Sequence, residues 1–211
     1  MCHKIYLGKL LSASDPSDWR DVKIYNDHAF IVSEASNHGL QVFDLNKLLA
    51  SDEFKTFNED FIANDFGNAH NIAINTSSGF AYVLGSALYK GGPVFYDISI
   101  PQQPIFSGGF SDTSYIHDAQ IITYKGEDQN YFEKEILFGS NSDGGETNQL
   151  IILDVTEKTN PELISTISYN YGGYTHQGWI DEDHRYFYLG DELDELRLSL
   201  IHISEPTRPL E

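Results

Sequence analysis

The chain of 211 residues has one cysteine, one methionine and few cations. A single thiol, Cys2, excludes an internal disulfide and any zinc site built on several thiolates. Basic side chains number 13 against 32 acidic ones, for a formal net charge of −19. Such a surface repels phosphates, which argues against nucleic acid and anionic lipid as partners. No apolar run approaches the ~18 residues of a membrane-spanning helix. No nucleophile elbow, P-loop or dinucleotide fingerprint occurs. No leader-like segment is visible either. Met1 is followed closely by an extended run, Ile5–Leu10, which reads as the last strand of a unit whose beginning is lost.

Aromatic residues, by contrast, are plentiful: 13 Tyr, 13 Phe and 2 Trp, within a hydrophobic fraction of 40%. That composition belongs to a folded chain, long enough to bury a sizeable core. The last stretch, 197–211, continues no pattern upstream and resembles a translated sequencing-adaptor read. It is set apart from the fold as a foreign tail, leaving 1–196 as the body. Without it the count is 11 basic and 30 acidic residues, still −19.

The body repeats. Leu40–Asp44, Pro93–Asp97 and Leu150–Asp154 are matching pentamers, 53 and 57 residues apart from Asp to Asp. Before each lies an apolar run, Ala29–Glu34, Phe80–Gly85 and Glu135–Gly139, with a fourth copy at Arg185–Gly190. Before those come Arg20–Ile24, His70–Ile74, His117–Ile122 and His176–Ile180, each opened by a polar pair. Turn-forming residues separate the runs, and Ile105–Phe110 and Glu162–Ile167 follow two of the pentamers. Four strands over roughly 50 residues, repeated, predict an all-β fold, a β-propeller fragment of four-stranded blades. It holds about three full blades and part of a fourth. Middle strands that are apolar on nearly every residue fit blades packed on both faces. Exposed blade faces predict aggregation.

The pentamers resemble the LVIVD repeat. The segments Ser17–Ile24, Val32–Gln41, Gly67–Ile72, Ile116–Gln120, Tyr174–Trp179 and Gly190–Glu195 resemble the choice-of-anchor B family, and the likeness covers about Ile5 to Leu196. The resemblance implies a secreted or surface-attached propeller, with no established reaction. Leader, early blades and anchor are absent from this chain, which fits truncation.

Three histidines carry the sharpest chemical signal. His70, His117 and His176 open the first run of successive units, and in a propeller that strand is innermost. Equivalent positions therefore converge at the channel. Three neutral imidazoles suit zinc, copper or iron, with a position left for water or substrate. Structural hydrogen bonding within or between blades accounts for the same histidines more plainly. Arg20 holds the matching place in the first unit and breaks a four-histidine ring. A second group follows the second runs: Glu34 and His38, Asn141 and Asp143, then Asp191, Glu192, Asp194 and Glu195. These form a candidate ligand-binding channel mouth, with calcium one option for the carboxylates, although solvated loops explain them as well. Trp19 and Trp179 beside the first runs read as blade packing rather than a sugar platform. Asn75-Thr-Ser77 is a glycosylation sequon in a predicted turn.

Three functions fit these residues. The first is a binding module for a protein or glycan, outside the cell or on its surface. The second is a metal-dependent enzyme using His70, His117 and His176. The third, and weakest, is a carboxylate-based glycosidase or lyase.

Overall fold

A computed structural model describes residues 6–51, 53–142 and 147–195, with side chains through 193. Strand β1 (Gly8–Leu10) comes first. The first four-stranded sheet is β2 (Arg20–Tyr25), β3 (His28–Ser33), β4 (Leu40–Asp44) and, after helix α1 (Asn46–Leu49) and β5 (Lys55–Phe57), β6 (Phe61–Ala63). The second is β7 (Asn71–Asn75), β8 (Phe80–Leu84), β9 (Val94–Asp97) and β10 (Ile105–Gly109). The third is β11 (Ile116–Thr123), β12 (Glu135–Ser142), β13 (Asn148–Asp154) and β14 (Glu162–Ser168). A two-stranded sheet, β15 (Thr175–Ile180) and β16 (Phe187–Asp191), leads into α2 (Glu192–Glu195).

Every four-stranded sheet is an antiparallel meander. The first strands β2, β7, β11 and β15 neighbour one another in that order, so the sheets stand as successive blades around a common inner edge. The chain is all-β and propeller-like. The pentamers are the third strands and the apolar runs the second strands, as the repeat predicts.

Alternation along the middle strands explains why both of their faces are apolar. In β8, Ala81 and Val83 face the first sheet, where they join Phe30, Val32, Leu40 and Val42 in one buried cluster. Tyr82 and Leu84, one residue out of step, join Leu137, Ile151 and Leu153 of the third sheet. In β12, Leu137 points back, while Ile136 and Phe138 point forward to Ile180 and Phe187. One turn is fixed locally: Asn26 and Asp27 both take positive φ between β2 and β3, as a two-residue hairpin of right-handed twist requires.

Within the described part of the run Ile5–Leu10, β1 pairs in parallel with β5, Gly8 opposite Lys55, in a separate two-stranded sheet. The cause is Gly8: a Cβ there would lie 2.3 Å from the Lys55 carbonyl oxygen and 2.5 Å from the Phe57 ring. The absent side chain lets β5, an insertion in the first unit, lie against it. The expected tail, 197–211, falls outside the described residues.

A groove of about 500 Å³ runs between the third and fourth sheets, lined by Phe138, Leu150, Ile152, Ile164, Phe187 and Leu189. Between the second and third sheets, the corresponding space is filled by Leu137, Ile151 and Leu153. On its side the two-stranded sheet contributes Ile180, Leu189 and the Phe187 ring stacked on Phe138 at 5.4 Å. Open apolar surface of this kind drives association. The chain is expected to bind a hydrophobic dye and to sediment as concentration-dependent oligomers. Replacing half-exposed Ile167 in the groove by lysine is expected to lower both several-fold. A monodisperse chain that ignores the dye would show the groove to be covered in solution.

Candidate functional site

The strand register decides which residues are equivalent. Asp21, Asn71, Asp118 and Gln177 pair with Val32, Leu84, Ser140 and Gly190. Arg20, His70, His117 and His176 each stand one residue earlier, at the same end of the inner strands. In the third and fourth sheets the register slips here. Ile116 pairs with Asn141 and Asp118 with Ser140, so His117 is an extra, bulged residue. Thr175 pairs with Asp191 and Gln177 with Gly190, so His176 is bulged in the same way. A bulge re-aims the side chain it carries. Sequence patterning held no sign of it.

The three imidazoles form a chain. The ring of His70 lies 4.1 Å from that of His117, and His117 lies 4.7 Å from His176. Tyr174 meets the His117 ring edge-on at 5.3 Å, and Tyr115 stands 6.4 Å from both His70 and His117. Gly85, at φ +68°, makes this crowding possible, since a Cβ would lie 2.9 Å from both His70 Cβ and the Tyr115 hydroxyl.

Hydrogen bonds fix two of the ring nitrogens. His70 Nδ1 donates to Glu34 Oε1 at 2.6 Å, across the first and second sheets. His117 Nδ1 donates to the backbone carbonyl of His176 at 2.9 Å, across the third and fourth. Each bond leaves Nε2 of that ring as the lone-pair nitrogen. His176 Nδ1 is buried with no hydrogen-bond partner among the described residues. Burial, with His70 beside it, pushes His117 down to about 4.

That displacement gives a signed prediction. An unfolded histidine titrates near 6.5, and folded His117 near 4. Between those values the unfolded chain holds a proton that the folded chain refuses, so stability rises with pH. It is lost as pH falls from about 6.5 to about 4. The loss is expected to be about 2 kcal/mol after allowance for solvent screening. Buried His38, also lowered chiefly by burial, acts in the same direction. Urea midpoints measured across this window should slope in the parent and flatten in His117→Gln. A parent curve flat above pH 4.5 would contradict it.

The remaining candidates divide. Arg20 donates to Ser17 O, Asp15 O and His38 Nε2, and His38 Nδ1 donates to Gly39 O, so this pair braces its own blade. Asn141, fully buried, donates to the carbonyls of Thr113 and Tyr115 at 2.6 Å each. Asp191, 8% exposed, accepts from the Gly173 and Tyr174 amides and the Tyr169 hydroxyl. Asn141 and Asp191 therefore hold loops and do not line an open mouth. Among the described candidates, Glu34 and Glu192 are the carboxylates that reach the histidines. Asp143 and the side chains of Asp194 and Glu195 lie outside the described residues. Ligand atoms of His117, His176 and Glu192 lie within 4.8 Å of one another. The pattern predicted His70 in this set; its ring lies beside that of His117, 4.1 Å away, and Glu192 is the third group within the spacing.

A cavity of about 240 Å³ opens over the cluster, lined by Trp19, Asp21, Asn71, Asp118 and Gln177 with the three histidines, and Arg20, besides bracing its blade, lines it too. Among the described residues, Trp19 and Trp179 stay 60% and 66% exposed, and Trp19 borders this cavity. The sequon reading is corrected. Asn75 is 4% exposed and its amide donates to Glu135, so it offers no glycan acceptor.

The third unit, whose pentamer seats Leu150 to Asp154 in β13, shows what the repeat is. Residues 145–169 match the LVIVD repeat. The match takes in β13 and β14, the two outer strands of the blade behind His117. The LVIVD strand therefore builds the blade wall, and the polar cluster sits at the far, inner edge of the same sheet. No curated protein matches the chain.

Proposed function

We propose that this LVIVD-repeat, propeller-like chain is a binding module that takes a carbohydrate at the histidine end of its inner strands. The observation that carries the reading is the cavity itself. An exposed indole, Trp19, stands beside the planar polar side chains Asp21, Asn71, Asp118 and Gln177. An indole face covers the apolar side of a sugar ring, while carboxylates and amides pair with its hydroxyls. About 240 Å³ suits a single sugar ring or chain end. A chain of net charge −19 favours neutral or cationic saccharides over acidic ones. Location outside the cell or on its surface is supported by resemblance to the choice-of-anchor B family, whose assignment belongs to this proposal.

The test is an oligosaccharide array probed with the chain and with Trp19→Ala. Binding of at least one neutral saccharide, weakened tenfold or more in the variant, is the expected result. No binding across the array, or binding indifferent to Trp19, would overturn it. A metal-dependent enzyme is the second reading. It is favoured by the closeness of His117, His176 and Glu192.

A further inference from the structure

We propose that His117, His176 and Glu192 bind one divalent transition-metal ion of the zinc class, with His70 closing the site from the second sheet. The inference rests on reading this end of the inner strands as the binding face, and it adds the ion that would organise it.

Four observations converge. First, the bulges that turn His117 and His176 toward each other recur in adjacent sheets at the same register position. A bulge interrupts the ladder, and here it delivers an imidazole each time. Second, the tautomers suit ligation. The Nδ1 hydrogen of His117 is held by a backbone carbonyl and that of His70 by a carboxylate, so both present Nε2 lone pairs. A ligating histidine whose other nitrogen is held by a carbonyl or carboxylate is the usual outer shell of a metal site. Third, His176 keeps a buried ring nitrogen without a partner among the described residues. Fourth, one atom from each of His117, His176 and Glu192 already lies within 4.8 Å of the others. A tetrahedral zinc with bonds of about 2.0–2.2 Å holds its ligand atoms about 3.4 Å apart. Side-chain rotations of order 1 Å close that gap, and Glu192 is exposed.

The donor set selects the metal. Two or three imidazoles with one carboxylate suit zinc, copper or nickel, and they argue against calcium and magnesium, which take oxygen donors. Glu34 is a positioning residue, since it reaches the site only through His70.

The test is isothermal titration of the tag-free, chelator-stripped full chain with Zn²⁺ at pH 7.5. One ion per chain is expected. His176→Ala should weaken binding about 100-fold, and Glu192→Gln and Glu34→Gln about tenfold each. Glu192 is exposed, so Glu192→Gln leaves the fold intact and keeps the test valid even where a histidine variant unfolds. Co²⁺ in place of Zn²⁺ should give the visible absorption of a four-coordinate site, lost in His176→Ala. The Cys2→Ser, His3→Ala double variant should bind as the parent does, because a terminal thiol and imidazole can capture zinc by themselves. No stoichiometric ion, or an ion indifferent to His176 and Glu192, overturns the proposal. If the array still shows saccharide binding then, the metal falls and the carbohydrate reading stands. An ion bound through these residues, with no saccharide on the array, leaves the metal standing without the carbohydrate.

Discussion

Replacing Glu135 by alanine is expected to lower the free energy of unfolding by about 3–5 kcal/mol, an effect large enough to unfold a marginal domain. Glu135 opens β12 and is 6% exposed. Its Oε1 accepts from Asn75 Nδ2 at 2.7 Å, at the end of β7, and from Ser78 Oγ at 2.5 Å, in the β7–β8 turn. Its Oε2 takes the Lys158 ammonium at 2.7 Å. Lys158 also donates to the Val155 carbonyl and lies 4.2 Å from the centre of the Phe80 ring. One carboxylate thus joins two blades at the edge opposite the histidines. Without it, an 11% exposed ammonium loses its counter-charge and the Asn75 amide loses its acceptor. Lys158→Met should cost a similar amount by stranding the carboxylate. The double variant Glu135→Leu, Lys158→Met should recover most of the loss, because an apolar pair leaves no buried charge unpaired. Urea denaturation midpoints at constant m-value measure all three. Single variants within about 1 kcal/mol of the parent would show that water reaches the pair.

Neither half of this bolt was legible in the sequence. Glu135 reads as the first residue of an apolar run and Lys158 as a loop cation, and nothing local relates the pair to Asn75 across 60 positions. The strands were legible because each face of β8 and β12 must be apolar, and that requirement is written residue by residue. The histidine cluster was legible for a related reason: a repeat places equivalent residues at equivalent positions, so three matching histidines had to converge. What the pattern lacked was any term for register slip. The bulges at His117 and His176 are visible only through their partners on β12 and β16. The carboxylates after the second strands therefore read as one group. In the structure Asp191 turns inward to the backbone and its neighbour Glu192 turns toward the imidazoles. The parallel pairing of β1 was hidden likewise, since it depends on a close approach at Gly8 to an insertion found in one unit alone.

Asn141 and Asp191 give the last prediction, because they solve one problem with opposite hydrogen-bonding sense. Each ends the inner hairpin of its sheet opposite the residue before the bulge, Ile116 or Thr175. Asn141 donates its amide to two carbonyls of the incoming loop, Thr113 and Tyr115. Asp191 accepts from two amides of the corresponding loop, Gly173 and Tyr174. The incoming loop aims the histidine, so these residues are positioning groups for His117 and His176. Asn141→Asp sets a carboxylate against two carbonyl oxygens that now lie 2.6 Å from a donor, with the side chain fully buried. It is expected to cost about 3 kcal/mol or more, through a buried unpaired acceptor and charge. Asp191→Asn keeps one oxygen for the amides and should cost about 1–2 kcal/mol. Asp191→Ala removes both oxygens and should cost about 2–4 kcal/mol. The order Asn141→Asp, Asp191→Ala, Asp191→Asn, from most to least destabilising, is read from urea midpoints. Histidine ring resonances should follow the same geography. His117 should shift in Asn141→Asp and His176 in the Asp191 variants, while His28, on the first sheet, stays in place. If Asn141→Asp is tolerated while Asp191→Ala is not, the loop ahead of β11 is held by something other than Asn141, and the paired latch is wrong.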